Sequence, residues 1–195
     1  MKEMNLKTAK IIRTVSVAPV MAWIMLTGVF IRFPEVSGGV PAYICMWFGL
    51  IFLPVSAYGL CKILPPYKEQ GREGQRNLAI VMAVMGYIFC IAVTALFLKT
   101  KICWVISLTY MLSGVGMVIF NKLLHVRASG HICGVVGPAF LGGYYLGWPW
   151  LAVGIVLTLF VGWASLVTKR HTASQMVYGG GISAVMFFVS VLIAG

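Results

Sequence analysis

Aspartate is missing from this 195-residue chain. Acid of any kind is scarce, with Glu3, Glu35, Glu69 and Glu73 as the whole set of carboxylate side chains. Transferases and pumps that hold magnesium on Asp-rich motifs cannot be built from such a set. None of the four glutamates lies inside a long apolar run. A proton-coupled transporter usually places an acid at membrane depth, so that class is disfavoured. Charge as a whole is thin: charged residues make up 10% of the chain, against about 25% in ordinary soluble domains. Cysteine is sparse and unpatterned. Cys45, Cys61, Cys90, Cys103 and Cys133 stand in or beside apolar segments without CxxC spacing, and read as free buried thiols. The first apolar run has no convincing small-residue cleavage site, so no cleavable signal peptide is expected.

What is there is apolar: 61% of the residues are hydrophobic. A chain of this size folded in water keeps too large a surface fraction to hide that much. The expected fold is all-α, a polytopic membrane bundle of six to seven transmembrane helices forming one integral membrane domain over residues 1–195. Stretches long enough to span fall at 14–31, 41–61, 78–98, 102–120, 131–147, 149–168 and 173–194. The first is short and carries Pro19, near its start, where proline is tolerated.

The cations are not scattered. With seven spans, the N-terminus (Lys2, Lys7, Lys10, Arg13), the loop 63–77 with its flanks (Lys62, Lys68, Arg72, Arg76), the segment with Lys122 and Arg127, and the pair Lys169-Arg170 share one side. That side holds 12 of 15 Lys and Arg; Arg32, Lys99 and Lys101 are on the other. The positive-inside rule makes the crowded side cytoplasmic in a multi-pass protein of the cell membrane. The four N-terminal cations read as orientation signals or contacts to anionic lipid, away from any pocket. Such loops need no nucleic-acid partner, and membrane lipids are the expected surroundings. Trp148 and Trp150 read as interface anchors, and the glycines of the last third as helix packing. His125 reads as a loop histidine near headgroups.

Two short motifs carry chemistry. Ser129-Gly130-His131 precedes the fifth span, and Arg170-His171-Thr172, followed by Gln175 and Gly179, heads the seventh. Each puts a histidine at a helix start, where backbone N–H groups and the dipole attract anions. Ser129 can cap its helix and donate to a phosphate oxygen, and Gly130 permits close backbone approach. Arg76, Arg127, Lys169 and Arg170 reach the same membrane face. Two histidines, several cations, a hydroxyl and exposed amides suit phosphoryl transfer without a metal or cofactor. A zinc site from His125, His131, Cys133 and His171 has neither acid nor paired spacing behind it.

These residues resemble the type-2 phosphatidic acid phosphatase superfamily, the lipid phosphate phosphatases, over about residues 62–195. The family signature is a Lys spaced from an Arg-Pro, then Pro-Ser-Gly-His, then Arg-x5-His-x3-Asp. Here Lys68 and Arg76 stand for the first part, with Asn77 in place of the proline. Ala128-Ser129-Gly130-His131 matches the second, and His171-x3-Gln175 the third. The resemblance implies His171 as the nucleophile that becomes phosphohistidine, and His131 as general acid. It implies Gln175 as the residue orienting His171, and Lys68, Arg76, Arg127, Ser129 and the Gly130 amide as phosphate ligands. Two departures stand out. Gln175 replaces the family Asp, and Ser165 replaces the family Arg six residues before the nucleophile, leaving Lys169 or Arg170 as substitutes. The expected activity is metal-independent hydrolysis of a lipid phosphate or polyprenyl (di)phosphate. The alternatives are a relative that binds such a lipid without turnover and a small-solute transporter. The lipid tail and the oligomeric state are left open.

Overall fold

The computed structural model describes residues 2–194. The side chains of Lys2 and Arg72, two of the cations counted above, lie outside the described residues. Those residues form helices and no strand. In chain order they are α1 (Lys2–Val15), α2 (Ala18–Arg32), α3 (Gly39–Trp47), α4 (Leu53–Leu60), α5 (Pro65–Lys68), α6 (Gly71–Val93), α7 (Lys101–Val118), α8 (Gly130–Leu146), α9 (Trp148–Val167) and α10 (Ala173–Ala194). Five helical stretches are long and apolar enough to cross a membrane: Gly39–Leu60, Glu73–Leu98, Lys101–Leu123, Trp148–Val167 and Ala173–Ala194. The bent pair α1–α2 brings the number to six if it counts as one span, and the expected span 131–147 is not among them, because α8 there has only 17 residues. This is the all-α, multi-pass membrane bundle that the composition demands.

Local chemistry explains the breaks. α3 passes into α4 through a π-helical turn at Phe48–Phe52, and Pro54 sits in the first turn of α4. Proline has no N–H to give, and the wider turn absorbs the lost rung of the ladder. Gly147, at φ 94°, turns α8 back along α9, a conformation that costs glycine little. The hairpin then closes tightly: a Cβ on Gly154 would overlap Ala139, and one on Gly142 would overlap the Trp150 ring. Trp150 is therefore not a simple interface anchor. Its ring packs on α8, and its Nε1–H donates to the Pro138 carbonyl at 3.4 Å, while Trp148 is 78% exposed.

The start of the chain departs most from the sequence expectation. In place of one span at 14–31, two helices meet at a 54° bend. The break follows Ser16, whose hydroxyl donates back to the Ile12 carbonyl, and Pro19 opens α2. α2 alone, at 15 residues, is too short to span. α1 packs on α9. Its inward face repeats at helical spacing through Ala9, Ile12, Arg13 and Ser16, with Lys7 and Lys10 exposed on the other side.

α8 is the innermost helix and packs on α2, α7, α9 and α10. Its 17 residues are about 25 Å long at 1.5 Å per residue. It runs antiparallel to α9, with Gly154 against Ala139 and Gly143 against Leu151, and parallel to α10, with Gly179 against Ser129 and Gly137 against Ser183. One end of the bundle therefore gathers the starts of α8 and α10 and the C-terminal end of α9. The elbow between α1 and α2 reaches the same end through Ala18, which packs against Gly134.

Candidate functional site

His171 is placed by two local devices in succession. α9 ends with the Arg170 N–H on the Ser165 carbonyl at 3.0 Å and the Lys169 N–H on the Leu166 carbonyl at 2.9 Å. Lys169 lies at φ 51°. This is the paired hydrogen-bond pattern that closes many helices, with a left-handed residue after the cap, and His171 follows directly. Thr172 and Gln175 then open α10 as a reciprocal cap. The Gln175 N–H donates to Thr172 Oγ1 at 3.4 Å, and the Thr172 N–H donates to Gln175 Oε1 at 3.3 Å, as the spacing Thr-x-x-Gln allows. The same Oε1 accepts from His171 Nδ1–H at 3.0 Å. Because Oε1 already receives a backbone N–H, it is the carbonyl end of the amide that faces the ring. The proton therefore sits on Nδ1, and Nε2 carries the lone pair.

The second motif is built on Ser129. Its side chain is fully buried, and Oγ caps α8 by accepting the Ile132 N–H at 3.4 Å. The preceding loop is held from behind by Asn121. Its amide oxygen accepts the Ala128 N–H at 3.0 Å, and its Nδ2 donates to the Met117 carbonyl at 2.8 Å. The two motifs are joined through the backbone: the Ser129 N–H donates to the Gln175 carbonyl at 2.8 Å. Gly179 makes that joint possible, since a Cβ there would fall inside the Ser129 carbonyl.

A third wall comes from the elbow of α1. His131 Nε2 lies 3.0 Å from Ser16 Oγ. The Ser16 hydrogen is engaged on the Ile12 carbonyl at 2.7 Å, so Oγ accepts from Nε2–H. Arg13 Nη1 donates to Ser165 Oγ at 2.6 Å, and that hydroxyl is likewise turned to accept, by donating to the Val161 carbonyl at 2.8 Å. Arg13 thus stands in the site, contrary to the expectation that all four N-terminal cations lie away from any pocket. Burial lowers the pKa of His171. The Gln175 bond opposes that shift, and Arg13, Arg127 and Arg170 lower it further.

The structure gathers His131, His171, Gln175, Ser129, Gly130, Arg127, Lys169 and Arg170 at one end of the bundle. Arg127, Lys169 and Arg170 are exposed. Lys68 and Arg76 are not brought against the histidines. α5 packs on α6, and α6 packs mainly on α4 and α7. Lys68 lines its own cleft of about 370 Å³ with Lys62, Tyr58 and Gln75, and Arg76 pairs with Glu73 at 3.4 Å. Neither is among the charges that act on His171. Sequence reasoning missed Arg13, Ser16 and Asn121. An arginine on the inward face of an amphipathic helix was the one available signal. A larger cleft of about 540 Å³ lies between α1 and α9, lined by Thr8, Ile12, Val156, Leu159, Phe160 and Trp163. Comparison with known proteins finds no matching family model, curated protein or solved structure.

Proposed function

We propose that this membrane protein hydrolyses a lipid phosphate or polyprenyl (di)phosphate through a phosphohistidine on His171. One observation carries the reading. Gln175 Oε1 holds the Nδ1–H of His171 at 3.0 Å and leaves Nε2 as a nucleophile, in an imidazole whose neutral form is favoured by burial and by the charges of Arg13, Arg127 and Arg170. Nε2 attacks phosphorus as the bond to the leaving oxygen breaks. His131, as imidazolium, passes its Nε2 proton to that oxygen; water then gives a proton to the now neutral His131 as it attacks the phosphohistidine, and the P–N bond breaks to release inorganic phosphate and free His171. The cations balance charge on the equatorial oxygens. In the resting arrangement the His131 Nε2 proton lies on Ser16 Oγ, so donation requires that bond to be exchanged for the leaving oxygen.

The resemblance to the lipid phosphate phosphatases supports the same chemistry, and the apolar cleft beside Ile12 suits a lipid chain whose headgroup lies at Arg13. The crowded basic end is proposed to face the cytoplasm. Gln175 in the family's carboxylate position favours a second reading, a protein that binds the phosphorylated lipid without turnover. Phosphate release from a panel of lipid mono- and diphosphates, in detergent with EDTA, tests the proposal. Wild type should turn over at least one, and His171→Ala should lower the rate by roughly three orders of magnitude or more with an unchanged melting temperature. Activity surviving His171→Ala nearly intact refutes the nucleophile assignment. Binding without release supports the second reading.

A further inference from the structure

We infer that Arg13, carried into the site by the N-terminal helix, is the arginine that grips the phosphoryl group of the substrate. The inference rests on the phosphatase reading above and extends it to a residue outside the two histidine motifs. Its support is that a single residue, Ser165, fixes both Arg13 and the turn that delivers His171. The Ser165 hydroxyl accepts Arg13 Nη1–H at 2.6 Å, while its backbone carbonyl accepts the Arg170 N–H at 3.0 Å, one residue before the nucleophile.

The hydroxyl is fully buried and has one orientation available. Its hydrogen is engaged on the Val161 carbonyl at 2.8 Å, so toward Arg13 it acts only as an acceptor. Three residues further on, just past the end of α1, Ser16 contacts His131. The elbow therefore meets both histidine motifs at once, with Arg13 on the His171 side and Ser16 on the His131 side. The charge of Arg13 lowers the His171 pKa more than that of Arg127 or Arg170 does. Unlike the exposed Arg127 and Arg170, it is half-buried. A guanidinium held in fixed orientation at partial burial is suited to a phosphoryl group, which it meets with a planar fork of donors. The 54° bend at Ser16–Val17 is what turns α1 onto α9 and brings this side chain in. An unbroken α1–α2 helix would carry Arg13 along the α2 axis, away from Ser165.

The test uses the full chain in detergent, with orthovanadate binding by thermal shift and kcat/KM on an active lipid phosphate as separate readouts. Arg13→Ala should weaken vanadate binding and lower kcat/KM by about 100-fold or more, as loss of a fixed charge-stabilising donor does. Arg13→Gln keeps a donor near Ser165 without the charge. It should lose as much activity while melting like wild type, which separates a phosphate contact from a strut between α1 and α9. Ser165→Ala, which removes this one hydrogen bond but keeps the guanidinium, should cost far less. The double variant Arg13→Ala/Ser165→Arg, which returns a guanidinium from the other end of the hydrogen bond, should recover much of the loss. Arg13→Gln retaining vanadate affinity and kcat/KM within about twofold of wild type overturns the inference and leaves the phosphatase reading standing. A wild type that neither hydrolyses any phosphate in the panel nor binds vanadate overturns both.

Discussion

Replacing Gln175 by Glu adds one negative charge to the His171 partner while keeping its length and both of its accepted hydrogen bonds, to Nδ1–H at 3.0 Å and to the Thr172 N–H at 3.3 Å. The new carboxylate lies about 4 Å from the imidazolium charge. At an effective dielectric near 20 that is worth about 4 kcal/mol of attraction. Both side chains are only partly buried, so solvent screens most of it, and about a third, roughly 1.4 kcal/mol, is a reasonable net effect. That corresponds to an upward shift of about one pK unit. Arg13, Arg127 and Arg170, which lower the His171 pKa in the wild type, are untouched by the change. A glutamate at the third position of α10 also suits the helix dipole, so the variant should fold. The assay is the pH dependence of acylation of His171 by diethyl pyrocarbonate, followed by mass spectrometry, because only the neutral ring reacts. Wild type should lose reactivity with a midpoint below the ordinary 6.5, and Gln175→Glu should raise that midpoint by about one unit. The acid limb of kcat/KM should move in parallel. A midpoint that stays put or falls refutes the pairing of Gln175 with His171. The sign extends to stability: a depressed pKa favours the fold at pH above the unfolded value, and that contribution is lost as pH falls below it.

Three further outcomes follow from the same geometry. Gly179→Ala drives a methyl group into the Ser129 carbonyl and should cost about 1–3 kcal/mol together with most activity. A melting temperature equal to wild type would show that the two motifs are not joined as described. Lys169→Gly relieves a left-handed residue at φ 51° and should stabilise the fold by about 1 kcal/mol. If catalysis falls as well, the Lys169 ammonium holds substrate. For sidedness, a single cysteine at the exposed Gln70, in a chain stripped of its five native cysteines, should resist an impermeant thiol reagent applied to intact cells. Ready labelling from outside would reverse the cytoplasmic assignment.

Composition and hydropathy alone determined the class of molecule. With 61% apolar residues and almost no acid, the chain has no soluble solution, and lipid forces the backbone to satisfy itself within helices. The later helices were legible almost to the residue. The stretch 173–194 is α10, and 149–168 differs by one position from Trp148–Val167, because each is bounded by strong local signals: the Gly147 turn, Pro149 and the Thr172–Gln175 cap. The pairing of His171 with Gln175 was readable for the same reason, being a contact four residues apart in the chain across the start of α10.

What tertiary structure alone decided was which distant residues share the site. The choice of Lys68 and Arg76 rested on their order in the chain and their membrane side, and packing puts them at α5 and α6 instead. Arg13 and Ser16 lie 152 and 115 positions from their partners, and no local signal points to those partners. They reach Ser165 and His131 because a bend at Ser16–Val17 turns a polar helix onto α9. The energetics of that bend depend on side-chain packing between helices, which a one-dimensional pattern does not contain.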